Sequence, residues 1–170
     1  MQKEKNIYYR KNGFKIVIKK GSLSMHWYNS NIYKEVPFGE LKGKIIKEIK
    51  INNSNDEMKF ITNNEDIYIL NHIQICCEEV MIEDICGDLS DLVGNQILLA
   101  EKVSNSNRDD EKVINYEEDY TEWTFYKLST NKGSVTIRWV GRTISFYALD
   151  VDFLKVIDKG LYEKEQRSKL

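Results

Sequence analysis

Proline is almost missing from this 170-residue chain: Pro37 stands alone, with only nine glycines beside it. That scarcity excludes low-complexity linkers and leaves little punctuation along the chain. Histidine is nearly as rare, with His26 and His72 the only two, so a Cys–His catalytic pair has few options. No apolar run approaches the ~18 residues of a membrane span. The first residues, M-Q-K-E-K-N, lack the apolar core of a secretory signal. The expectation is a cytoplasmic protein of the host cell, with reduced thiols and no membrane partner. Phosphate-cradling glycine loops are also missing: neither G-x-x-x-x-G-K-[ST] nor G-x-G-x-x-G occurs.

Aromatic residues are plentiful, with ten tyrosines, six phenylalanines and three tryptophans. They favour strands and an aromatic core. A hydrophobic share of 41% and a charged share of 31% fit one globular domain with a real core. The net charge of −2 hides a split: residues 1–50 carry +8, the remainder −10, and Glu78–Glu122 alone −11. Either each region is an ordinary solvated face, or a basic and an acidic surface serve partners.

The alternation over residues 7–28, with turns at Asn12-Gly13 and Lys20-Gly21-Ser22, predicts a basic β-meander. It is assigned as an extension over 1–38, followed by a sheet-rich core over 39–170 that ends in a helix, all in one compact unit. Strands are expected at G-K-I-I-K-E-I-K-I, E-M-K-F-I-T, D-I-Y-I-L-N-H, Cys77–Ile82 and Gln96–Val103. Asp88–Gly94 reads as a short capped helical turn. Ser104–Asp119 reads as a long polar loop. A clear hairpin follows, Y-T-E-W-T-F-Y-K-L-S-T with V-T-I-R-W-V, and then the strand T-I-S-F-Y-A-L-D. Asp152–Lys169 shows helical spacing, with Phe153, Val156 and Ile157 on one face. The predicted class is α+β, predominantly antiparallel sheet, with a short helix and a C-terminal helix.

The stretch I-C-C-E-E-V-M-I-E-D-I-C-G-D (75–88) holds every cysteine of the chain. Structural zinc needs cysteines spaced so that two thiolates converge, whereas adjacent Cys76 and Cys77 point to opposite faces of a strand. Neighbouring carboxylates would raise a thiol's pKa and make a poor nucleophile. The cysteines are therefore read as small core hydrophobes, with no catalytic residue, metal or cofactor assigned. Glu83, Asp84 and Asp88 could instead hold a divalent cation, which makes a metal-dependent enzyme one alternative.

On the hairpin, Trp123, Phe125 and Lys127 share one face, and Thr124, Tyr126 and Leu128 the other. An aromatic beside Arg138 can stack a base and hold a phosphate, while the plainer reading makes the aromatics core. The candidate contact set is Phe125, Tyr126, Lys127, Arg138 and Arg142, with Glu78, Glu83, Asp84 and Asp88 on an acidic face. Lys15, Lys19 and Lys20 complete it on the basic meander.

Three groups of motifs resemble a widespread group of small phage and bacterial proteins of uncharacterised function. They are His72-x-Gln74-x-Cys76-Cys77-Glu78; Ile82-Glu83-Asp84-Ile85-x-Gly87-Asp88-x-x-Asp91-Leu92-x-Gly94; and Trp123-Thr124-Phe125-Tyr126-Lys127-Leu128 with Lys132-Gly133-Ser134-Val135-Thr136-Ile137-Arg138-Trp139. The resemblance covers about residues 41–153 and implies a compact sheet-rich domain without established catalytic residues. It breaks at Ile75, where the group has aspartate, and over Thr143–Leu149, where polar and glycine positions have become apolar. A ligand segment there would be altered or lost.

The expected function is counter-defence: a non-catalytic, anti-CRISPR-like inhibitor that binds a nucleic-acid-handling host defence complex, or its guide RNA, through charged surfaces. The alternative is a sponge for a small nucleotide signal, a cyclic nucleotide or ADP-ribose derivative, held by Phe125, Tyr126 and Arg138.

Overall fold

The structure, a computed structural model, describes residues 7–11, 14–19, 22–24, 28–74, 77–106, 120–144 and 149–169. The elements in chain order are β1 (Ile7–Lys11), β2 (Phe14–Lys19), β3 (Ser22–Ser24), β4 (Tyr33–Glu35), β5 (Ile46–Ile51), β6 (Glu57–Thr62), β7 (Ile67–Asn71) and β8 (Glu78–Cys86). They continue with β9 (Leu99–Ser106), β10 (Tyr120–Ser129), β11 (Ser134–Thr143), β12 (Asp152–Val156) and α1 (Lys159–Ser168). Short 3₁₀ turns lie at Phe38–Leu41 and Leu89–Asp91. The α+β class with predominantly antiparallel sheet is what the sequence led us to expect.

β1, β2 and β3 form an antiparallel meander. The other strands make two antiparallel sheets, ordered β8-β11-β10-β9 and β4-β12-β7-β6-β5. Alternation explains the layers. In β6, E-M-K-F-I-T, Met58 and Phe60 are fully buried, and in β10 Thr124, Tyr126 and Leu128 turn inward. The inward rows of both sheets meet in one core cluster that includes Met58, Phe60, Tyr68, Tyr126, Ile137 and Trp139. Phe38 fills its centre, 4.8 Å from the Tyr126 ring and 5.1 Å from Phe153, while Tyr68 stacks on Phe153 at 5.6 Å. Such ring pairs add ~0.5–1.5 kcal/mol each beyond area burial.

Turn chemistry fixes the registers. Asn52 Oδ1 accepts from the Asp56 and Glu57 amides and closes the β5–β6 turn. The Asn63-Asn64-Glu65 turn ends with Thr62 Oγ1 accepting from the Asp66 amide.

The C-terminal helix is shorter than its sequence spacing predicts. Asp152–Val156 is strand β12, inserted between β4 and β7. Phe153 packs into the inter-sheet core, and Leu154 and Val156 pack on the opposite side with Tyr28, Ile32, Tyr33 and Tyr162. A strand buried on both faces is apolar in a continuous run, which mimics a helix face over so few residues. The helix begins only after Asp158, whose carboxylate accepts from the Leu161 amide at 2.9 Å. The Tyr33 hydroxyl donates to Glu165 and ties α1 down; burial, then that carboxylate, pushes its pKa up.

Part of the stretch assigned to the N-terminal extension is built into the sandwich: β4 is an edge strand of the five-stranded sheet, and the Val36 amide donates to Phe153 O at 3.0 Å. Ser104–Ser106, read as loop, continue β9 along β10. The remainder of that polar stretch, 107–119, lies outside the described residues, as do 145–148 of the altered segment and Cys76.

Candidate functional site

The inward rows leave a second set of side chains on the outer face of the four-stranded sheet. Trp123, Phe125 and Lys127 on β10 alternate with the buried Thr124, Tyr126 and Leu128. On β11, Arg138 and Arg142 alternate with the buried Ile137, Trp139 and Gly141. Register then places Val103, Phe125, Arg138 and Asp84 in one cross-strand row. The next row runs Asn105, Trp123, Val140 and Met81. Val140 is only 2% exposed even though it faces out, flanked by Trp123 and Met81.

A bulge in β8 builds the charged half of this face. Trp139 pairs with Ile82 but Arg138 pairs with Asp84, so Glu83 is the extra residue. Simple alternation would turn Asp84 inward; the bulge sends Glu83 and Asp84 out together. Arg138 Nε lies 2.9 Å from Glu83 Oε2, and its NH2 group 3.7 Å from Asp84 Oδ2. That Nε is shielded from water and is not aligned for a hydrogen bond, so the contact is an ion pair rather than a directed bond. Arg142 reaches Glu79 at 3.8 Å and Glu83 at 3.7 Å. With Arg138 and Arg142 41% and 54% exposed, each pair contributes ~0–1 kcal/mol. Their main effect is to position two guanidinium groups beside Trp123 and Phe125.

The reading of the cysteines is also corrected, for Cys86 by the same bulge. Cys77 and Cys86 are exposed rather than core. Cys86 follows the bulge, so its parity is reversed and it stands outward opposite Thr136.

Other predicted contact residues fall elsewhere. Tyr126 is 0% exposed and points away from Phe125, so the pair cannot clasp one ligand. Burial pushes its hydroxyl pKa far up. Asp88 is exposed but occupied as a cap, its carboxylate accepting from the Ser90 amide at 2.8 Å. That bond holds its pKa below the usual carboxylate range. Lys15 and Lys19 lie in β2, remote in sequence from this sheet, and Lys20 is outside the described residues. Phe125, Lys127, Arg138, Arg142, Glu83 and Asp84 are the predicted residues that do share the face. Trp123, Met81, Val140, Val103 and Glu79 join them; strict alternation from Phe125 would have found Trp123, but the partners on β8 and β9 needed the register.

Glu78 sits on the other side of β8, buried against His72. His72 Nδ1 lies 2.8 Å from the Asp150 carbonyl, which can only accept, so Nδ1 carries the proton. Its Nε2 is 3.6 Å from Glu78 Oε1. Gln74 bonds both the amide and the carbonyl of Val80. The histidine, glutamine and glutamate of H-x-Q-x-C-C-E therefore lock the start of β8. Glu78→Ala is expected to cost ~1–3 kcal/mol in chemical denaturation, because the buried carboxylate accepts from the Cys77 amide at 3.0 Å and packs beside His72. His72→Ala should cost a similar amount, and the double replacement less than the sum.

Together these features define a small α+β domain of two packed antiparallel sheets, one of them with an outer face of aromatics and ion-paired arginines. The chain belongs to the family described as a domain of unknown function (DUF7448), whose family model matches residues 39–153. That span contains the whole four-stranded sheet. Comparison with curated proteins and with solved structures gives no match.

Proposed function

We propose that the protein acts by binding: it is a non-catalytic counter-defence protein of phage or mobile-element type that inhibits a nucleic-acid-handling defence complex. The outer face of the four-stranded sheet is the docking surface. The observation that carries this reading is the composition of that face. Trp123, Phe125, Met81, Arg138 and Arg142 are adjacent by register, and aromatics, methionine and arginine are the residues enriched where proteins meet proteins. The arginines are already balanced by Glu79, Glu83 and Asp84. A protein component of the complex, bearing both signs of charge, fits this face better than bare phosphate does.

The partner class rests on the charge segregation along the chain and on the phage-type resemblance of its motifs. The nucleotide-sponge reading is weaker, since Tyr126 is buried on the opposite face and Arg138 is engaged by two carboxylates. The metal-enzyme reading loses its ligand set, since Glu83 and Asp84 face Arg138 while Asp88 caps a turn. Among the described residues no three His, Cys, Asp or Glu side chains converge.

Affinity capture from host lysate, with and without nuclease, tests the proposal. Retention of a defence-complex protein after nuclease treatment is the expected result. Retention of nucleic acid alone, or of no defence component, overturns it.

A further inference from the structure

The two sheets have four edge strands, and three of them are blunted. Along β8, the Gln74 side chain occupies both polar groups of Val80, and the Ile82 amide donates to Asn55 O at 2.7 Å. Along β5, bridges from Ile45 to Gln96 and from Ile46 to Val93 close the edge, with the Gly94 amide donating to Ile46 O at 2.8 Å. β4 is three residues long. β9 is different: it runs eight residues, and Glu101, Lys102, Val103, Ser104 and Asn105 are all exposed. The Phe38–Leu41 turn packs against this strand, with Gly39 close to Ala100. Among the described residues, nothing hydrogen-bonds the backbone of Glu101–Asn105 on the side away from β10. An eight-residue edge with open backbone groups, guarded by the single inward Lys102, is a template for another strand.

We propose that a second copy of this chain occupies that edge, β9 pairing antiparallel with β9 about a two-fold axis, so that two four-stranded sheets become one of eight strands. The edge sequence E-K-V-S-N can pair with itself without opposing like charges. With Val103 opposite Val103 of the second copy, Glu101 faces Asn105 and Lys102 faces Ser104, and no like charges oppose. Centring the axis on Lys102 instead sets two ammonium groups against each other, which is destabilising. The favoured register keeps the two outer faces on the same side. Val103, 45% exposed in the single chain, would be covered at the centre, between Phe125 of one copy and Phe125 of the other. The pairing stands on the edge itself and does not depend on the proposed partner.

The test uses the full chain with Cys76, Cys77 and Cys86 replaced by serine, carrying either V103C or E101C. Directly opposed strand residues have Cβ atoms about 4.5–5.5 Å apart, close to disulfide reach. Mild oxidation should therefore link V103C into a dimer within minutes and leave E101C unlinked, because its counterpart is four residues out of register. Should the serine background not fold, the same linkage is read by mass spectrometry of the peptide carrying V103C in the otherwise native chain. Light scattering during size exclusion should show a concentration-dependent dimer that Val103→Lys converts to monomer, with unchanged circular dichroism. A wild-type monomer at every concentration, or equal linkage of V103C and E101C, overturns the proposal; the first outcome would leave β9 to a foreign strand.

Discussion

Gly87→Ala is expected to destabilise the protein by about 3 kcal/mol or more, or to prevent folding. Gly87 ends β8 with φ at +104°, a region L side chains rarely adopt, and holding a residue there costs ~1–3 kcal/mol. A Cβ would also sit 2.4 Å from Ser134 O and 3.1 Å from Val135 Cα. Those are backbone atoms at the start of β11, which pairs with β8 from Thr136 and Cys86 onward. Relief of the clash would pull apart the two strands that carry Arg138, Glu83 and Asp84. Overpacking of this kind adds ~1–3 kcal/mol. Gly94 is the control: its φ is +75°, but nothing lies within 4 Å of an added Cβ. Gly94→Ala should cost the conformational part alone, ~1–2 kcal/mol. In urea denaturation the two variants should separate clearly, and equal costs would show that the approach to Ser134 is not limiting.

The second large effect concerns the partner. Trp123→Ala and Phe125→Ala should each weaken partner binding by about 30-fold, equivalent to ~2 kcal/mol, as for central aromatic anchors elsewhere. Both side chains are half-buried and face outward, so the fold should survive, and circular dichroism and the denaturation midpoint will show whether it does. Tyr126→Ala provides the contrast. Its ring is fully buried among Phe38 and the inter-sheet core, so it should lose ~3–5 kcal/mol of stability, and any loss of binding would follow from unfolding. Arg138→Ala should also weaken binding, through the lost guanidinium and through Asp84 left without its partner, while Glu83 keeps only Arg142. Affinities measured by calorimetry on folded variants would decide the order.

Much of the architecture was legible because period-two alternation is a strong signal where one face is buried. E-M-K-F-I-T and W-T-F-Y-K-L state their inward residues outright, and the β10–β11 hairpin follows from its N-K-G-S turn. What was hidden falls into two kinds. β12 is buried on both sides, so D-F-L-K-V carries no alternation and borrowed the helical pattern of the residues after it. The β8 bulge adds a single residue, and nothing in I-E-D-I-C announces it; yet it reverses the parity of everything downstream. That one residue moves Cys86 out of the core and brings Asp84 to Arg138. The family-like motifs turn out to be largely architectural: Gly87 permits a close strand approach, Asp88 caps a turn, and His72, Gln74 and Glu78 lock the start of β8. The outer face of the four-stranded sheet was only half legible, because Phe125 and Arg138 lie on one hairpin while Met81, Glu79 and Val103 reach them only through pairing with β8 and β9.

The most direct test of the central claim is a side-by-side capture from host lysate, by folded wild-type protein and two variants. One carries Trp123→Ala with Phe125→Ala on the outer face of the four-stranded sheet. The other carries Lys50→Ala with Glu48→Ala, an exposed pair on the edge strand of the other sheet. The account predicts that wild type and the Lys50/Glu48 variant retain the same defence-complex protein, and that the aromatic variant loses it. Retention of that protein by a folded aromatic variant, at wild-type level, would contradict the assignment of this face.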